Sequence, residues 1–154
     1  MPKIRITKEF RFEMAHLLWN YDGLCKNIHG HSYILNVTVI GEPASNNCRN
    51  AGMVIDFAEL KKIVNEEIIN QFDHSLIINS QMHENYVNEL KKISSRCIVI
   101  DYQPTCENLL IDFAEKIKNK LPEKIDLHSI KLNETSGAYA EWYADDNLKL
   151  KNSE

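Results

Sequence analysis

Cys25-Lys26-Asn27-Ile28-His29-Gly30-His31 runs directly into Ser32-Tyr33-Ile34-Leu35-Asn36-Val37-Thr38-Val39-Ile40. The second part alternates apolar and polar residues, the period of a strand with one face on a core. Strand side chains repeat every second residue, so His29 and His31 project from one face where the strand reaches back to them. Gly30 has no side chain and allows close packing on the opposite face. Two imidazoles on a rigid strand make a pair of metal ligands that calls for a third. Taken alone, a His-x-His pair is more often a polar surface feature.

The third partner lies upstream. Ile4 to Glu13 also alternates, with Ile4, Ile6, Phe10 and Phe12 at even positions, and His16 follows just beyond. A strand ending in one histidine can lie antiparallel beside a strand beginning with two more, joined by Leu17 to Ile28. By itself His16 reads as a core histidine bonded to a backbone carbonyl. With His29 and His31 available, three neutral imidazoles suit a catalytic zinc that keeps a fourth position open.

Composition narrows the class. A chain of 154 residues can bury a sizeable core, and one domain is expected over 1–145 with a polar tail over 146–154. The net charge of -4, with no basic cluster, gives no reason to expect nucleic acid as a partner. No apolar run is long enough to span a bilayer, and no signal-peptide pattern stands at the N-terminus. Cys25, Cys48, Cys97 and Cys106 lack metal-finger spacing and read as reduced thiols of a cytoplasmic protein.

Further along, 41–50 reads as a hairpin-type loop, and Asp56 caps a helix whose stripe is Phe57, Leu60, Val64, Ile68 and Phe72. Asp73-His74 closes that helix as a polar cap, with the histidine near the carbonyl end. In the 79–103 stretch, Met82 to Leu90 suits a turn or two of helix, and Cys97 to Ile100 suits a strand. Thr105 caps a second helix with Leu109, Leu110, Phe113, Ile117 and Leu121 inside and Pro122 as its stop. Glu107 falls in its first turn, where it complements the helix dipole. Two strands follow, over 125–132 and 138–143, with Glu134 in the turn between them. The order predicts an α+β fold.

Several blocks together resemble a known family. They are Phe12-Glu13-Met14-Ala15-His16, Cys25 ahead of His29-Gly30-His31, Gly52 to Lys61, Phe72-Asp73-His74, Pro104 to Asn108, and Asn133-Glu134-Thr135. In this order and jointly, they are similar to the 6-pyruvoyltetrahydropterin synthase and 6-carboxytetrahydropterin synthase family. The gap between Cys25 and His29 resembles the bacterial carboxy-producing branch, because the animal pyruvoyl-producing enzymes typically have a longer one. The 79–103 stretch departs from the compact bacterial pattern.

The resemblance implies the tunnelling fold, an antiparallel sheet with two helices on one face, whose subunits join into a barrel. It implies a homo-oligomer, a hexamer made of two trimers. It implies Zn2+ on His16, His29 and His31, with Cys25 as the thiolate that removes a proton. Asp73 and His74 would move protons, and Glu134, with Glu107, would hold the pterin. The implied reaction turns 7,8-dihydroneopterin triphosphate into 6-carboxy-5,6,7,8-tetrahydropterin with release of acetaldehyde and triphosphate, on the route to queuosine. Alternatives are a 6-pyruvoyltetrahydropterin synthase, which stops at triphosphate elimination, and a zinc- or pterin-binding protein without turnover.

Overall fold

The alternation in the first forty residues becomes two long strands, β1 (Ile4–His16) and β2 (His29–Gly41), in a computed structural model that describes residues 2–148. They pair antiparallel along their whole length, from Ile4 opposite Gly41 to His16 opposite His29. Phe10, Phe12 and Met14 of β1 and Tyr33, Leu35, Val37 and Val39 of β2 are buried on one face. The loop after β2 closes much as a hairpin does, with Ala44 and Gly52 N–H groups donating to the Met53 and Ala44 carbonyls.

Two helical runs cover that face. Asp56 caps α1 (Phe57–Val64) by accepting from the Ala58 N–H at 2.7 Å. The helix continues through a π turn (Asn65–Ile69) into α2 (Asn70–Phe72). Leu60, Val64, Ile68 and Phe72 are buried. Phe57, expected in the same stripe, is half exposed: it stands at the helix start, with Lys8 Nζ 6.0 Å from its ring centre.

The strand β3 (Ser75–Asn79) follows, then α3 (Glu84–Ile93) and β4 (Cys97–Ile100). The second covering helix, α4 (Cys106–Lys118), is capped by Thr105 and buries Leu109, Leu110, Phe113 and Ile117. The hairpin of β5 (Asp126–Asn133) and β6 (Tyr139–Tyr143) ends in the helical turn α5 (Ala144–Asn147). Most of the tail expected from 146 onward lies outside the described residues.

The sheet has six strands in the order β4-β3-β1-β2-β5-β6. β1, β2, β5 and β6 are antiparallel neighbours, as expected, whereas β3 and β4 add to the β1 edge in parallel, so the sheet is mixed. The chain reaches both of these strands through helices, the connection that parallel pairing requires. β3 is buried at all five positions because both its faces are covered. Ile77 joins the main core, while Leu76 and Ile78 join a smaller cluster with Leu17 and Met82, against which Val87 and Leu90 of α3 pack. Thus α1 and α4 share one face, and α3 sits on the other. Among the described residues no helix is long and apolar enough to cross a membrane.

Candidate active site

Register brings the three histidines together. His16 lies directly opposite His29, and His31 is opposite Met14, so all three rings rise from the helix-covered face at one end of the sheet. Gly30 eases the close pairing, since a Cβ there would lie 3.3 Å from the Met14 carbonyl oxygen, a tight contact. One ligand nitrogen from each ring falls within 4.8 Å of the others.

The rings are held from behind. His16 Nδ1 donates to the Pro104 carbonyl at 2.7 Å, and His29 Nδ1 donates to the Asn27 carbonyl at 2.8 Å. A carbonyl only accepts, so each ring carries a proton on Nδ1, and when both rings are neutral their Nε2 atoms, 3.1 Å apart, present lone pairs. His31 Nε2 is buried with no hydrogen-bond partner. Burial pushes the His16 ring below the ordinary histidine value despite the Pro104 carbonyl and Glu134, which favour the charged form; His29 and His31 add to the lowering. Neutral imidazoles with outer-shell carbonyls are the donor set a cation such as zinc takes. The residues fit a metal ion.

A cavity of about 320 Å³ opens beside the histidines, lined by His16, Cys25, Glu107 and Glu134, with Tyr21 and Tyr139 at its sides. Cys25 sits in the 3-10 turn Leu24–Lys26, and its carbonyl accepts from the Leu18 N–H at 2.9 Å. Glu134 occupies the β5–β6 turn, which its own N–H closes by donating to the Ala138 carbonyl. One Glu134 oxygen lies 3.6 Å from His31 Nε2, and the other accepts from the Tyr33 hydroxyl at 3.5 Å. Burial first, then the Glu134 charge, raises the Tyr33 hydroxyl far above its ordinary value and keeps it a donor. Glu107 is in the first turn of α4, as the sequence predicts, and also reaches this cavity.

Asp73 and His74 do not line it. His74 borders a groove with Glu13, Gly30, Ser32 and Ser94, and by strand alternation Glu13 and Ser32 point to the face opposite the core, while Asp73 joins His74 and Arg96 in an adjoining hollow. His74 is 73% exposed and takes φ 58°, the left-handed region that a non-glycine residue rarely occupies. Its N–H donates to the Glu13 carbonyl at 2.6 Å, and its Nδ1 lies 3.0 Å from Asp73 Oδ1, which also accepts from the Glu13 N–H at 2.9 Å. Desolvation opposes ionisation of Asp73, yet the Glu13 N–H, His74 and Arg96 together hold its carboxyl below the ordinary range. The pairing expected between Asp73 and His74 is present, but on a different surface from Cys25.

Sequence reading did not single out Tyr33, the Pro104 carbonyl or Cys106, which also lines the cavity. Tyr33 follows the His-x-His pair by two residues, and its alternation placed it on the same face. A backbone carbonyl leaves no sequence signal at all.

Fold and site define a tunnelling-fold chain equipped with three histidines able to hold a metal ion. Residues 5–145 match the family model described as 6-pyruvoyl tetrahydropterin synthase. A Haemophilus influenzae protein named 6-carboxy-5,6,7,8-tetrahydropterin synthase is 34% identical over 140 residues, covering 90% of this chain and 97% of that one. The crystal structure of an uncharacterized protein from Wolinella succinogenes superposes with a TM-score of 0.72 at 20% identity, covering 94% of this chain and 99% of that one. The Caenorhabditis elegans 6-pyruvoyl tetrahydropterin synthase structure gives 0.67 at 25% identity, covering 94% and 97%. The chain belongs to the 6-pyruvoyl tetrahydropterin synthase family of lyases.

Proposed function

We propose that this chain is a zinc-dependent lyase converting 7,8-dihydroneopterin triphosphate to 6-carboxy-5,6,7,8-tetrahydropterin with release of acetaldehyde and triphosphate. The relatives named for that product support the reading. Its principal support in the molecule is that His31 and Glu134 meet at 3.6 Å beside the cavity that Cys25 and Glu107 line. His16, His29 and His31 would hold the metal, which when bound supplies Lewis acidity toward the substrate's side-chain hydroxyls and their neighbouring C–H groups. Glu134 would accept two hydrogen bonds from the pterin amino group and adjacent ring N–H, with Glu107 as a second acceptor at the cavity wall. Cys25, as a thiolate, would take a proton from the bound side chain.

His74, with its tautomer fixed by Asp73, would carry protons. In one chain this pair serves the groove and not the Cys25 cavity, which fits an assembly in which it completes a partner subunit's site. A hexamer of two trimers supplies such contacts. In this reading one domain spans 1–145, the setting is the cytoplasm, and the product feeds queuosine formation.

Incubating the pure protein with dihydroneopterin triphosphate and identifying the pterin tests the proposal. A carboxylated pterin with equimolar acetaldehyde is expected. A pyruvoyl product with triphosphate alone would move the chain to the other branch, and no product would leave a binding protein.

A further inference from the structure

We propose that the 79–103 segment positions the catalytic Cys25 loop by gripping Trp19, with Gln103 as the positioning residue; this deepens the functional reading above and rests on it. The Gln103 side-chain amide faces the Trp19 backbone as a neighbouring strand would. Its Oε1 accepts from the Trp19 N–H at 3.1 Å, and its Nε2 donates to the Trp19 carbonyl at 2.8 Å. Two opposed bonds fix both position and direction of that backbone, which a single bond does not.

The grip is itself braced. Asn79 Nδ2 donates to the same Oε1 at 3.3 Å. The Gln103 carbonyl accepts from the Thr105 N–H at 2.8 Å and from Asn108 Nδ2 at 3.0 Å, so the start of α4 anchors its backbone. From α3 and the residue before it, Tyr86 and His83 set their rings against the Trp19 indole, with centroids 6.1 and 5.8 Å away.

Trp19 transmits the constraint one residue along. Leu18 N–H donates to the Cys25 carbonyl at 2.9 Å, and Leu18 lines the Cys25 cavity. The path is therefore Gln103 to Trp19 to Leu18 to Cys25, in direct contacts throughout. Apart from this, the loop's 3-10 turn has no buried residue and is closed by short-range bonds, Lys26 N–H to the Gly23 carbonyl and Asn27 N–H to the Leu24 carbonyl, each at 3.1 Å. His29 Nδ1 adds a bond to the Asn27 carbonyl at 2.8 Å, so the Trp19 grip is what ties the loop's leading side to the 79–103 segment. A proton-abstracting group displaced by about 1 Å loses much of its rate while binding elsewhere continues. Gln103→Ala removes the amide and keeps the carbonyl that anchors α4. The three histidines, fixed by strand register, should keep their metal.

The test compares zinc content, kcat, KM and the iodoacetamide labelling rate of Cys25, read by peptide mass, in the parent, Gln103→Ala and a control on the exposed side of α3, Lys92→Ala. For Gln103→Ala the expected result is full zinc, KM within about two-fold and kcat lower by about 10-fold. Cys25 labelling should be faster by roughly three-fold or more, because the loop opens locally. The control should match the parent. Unchanged kcat and labelling overturn the proposal. So does a kcat loss that comes with zinc loss, which would make Gln103 a general stability residue. If the parent itself turns over no pterin triphosphate, the functional reading fails, and labelling still decides the grip.

Discussion

His16 and His29 bring their Nε2 atoms within 3.1 Å of each other while each Nδ1 is committed to a carbonyl, Pro104 for one and Asn27 for the other. With both rings neutral, two lone pairs so placed repel unless a proton or a cation lies between or beside them. The buried and unpartnered Nε2 of His31 points to the same need. The strand pairing that sets this geometry runs the full length of β1 and β2, so the fold itself keeps the three rings together.

The protein should therefore purify with about one zinc per chain, the stoichiometry of a three-ligand catalytic site. Removing the metal with a chelator should lower the thermal midpoint, since zinc binds the folded state selectively. His31→Ala should reduce zinc content sharply. Full occupancy in that variant would take His31 out of the site.

Assembly is tested by mixing inactive chains. Cys25 and Glu134 line one cavity, while His74 borders a groove on the other face, so Cys25→Ala and His74→Ala should complement each other under subunit exchange. Random mixing of equal amounts would rebuild roughly a quarter of the sites in a symmetric ring. Cys25→Ala mixed with Glu134→Ala should stay inactive. Rescue by that second pair and not the first would reverse the assignment, and a fully active monomer would end it.

Much of this site is legible in the chain because it rests on strand periodicity. Phe12, Met14 and His16, then His29, His31 and Tyr33, keep a period of two, and pairing the strands does the rest. The strand at Ser75–Asn79 is hidden for the converse reason: covered on both faces, it shows no alternation. The parallel edge it starts follows from tertiary packing that a local pattern does not encode. The partners of His16 and Trp19, the Pro104 carbonyl and the Gln103 amide, lie more than eighty positions away in the chain. Nothing in a spacing of neighbours announces them.

Tyr33→Phe isolates the support given to Glu134. The ring is 1% exposed and stacks on Phe12 at 5.1 Å, contacts that phenylalanine keeps, so the thermal midpoint should barely move. What is lost is the hydroxyl that donates to Glu134. KM for the pterin should rise about three- to five-fold, the size of one net hydrogen bond near 1 kcal/mol. An unchanged KM would mean that Glu134 does not need the hydroxyl.

Asp73 predicts a pH dependence with a definite sign. Its carboxyl is held below the ordinary 3.8 by the Glu13 N–H, His74 and Arg96, which together outweigh the desolvation that raises it. A lowered carboxylate value gives stability that is present above 3.8 and is lost as pH falls through the folded value. Metal-free Asp73→Asn should be less stable than metal-free parent at neutral pH, by a small amount because the side chain is 37% exposed. Denaturant titrations should find the gap closing in acid. A gap that widens as pH falls would contradict the hydrogen-bonding reading.

Cys25 is where catalysis and binding part company. It lines the cavity but is absent from the cluster of metal-ligand nitrogens, and Glu134 reaches the same space from another element. Cys25→Ala should accordingly keep its zinc and still bind the pterin, yet lose most of its turnover. The neighbouring thiol provides an internal control. Burial first, then Glu134, pushes the Cys106 thiol up to about 11, and its Sγ lies 3.3 Å from the Leu132 carbonyl, so it should resist alkylation at neutral pH. Cys25 should be alkylated ahead of Cys106, and substrate should slow that reaction. A cysteine that only fills the turn before His29 predicts a near-normal rate for the alanine variant and no protection by substrate. Loss of zinc in Cys25→Ala would instead make the thiol a metal ligand, and the three measurements on this one variant distinguish all three roles.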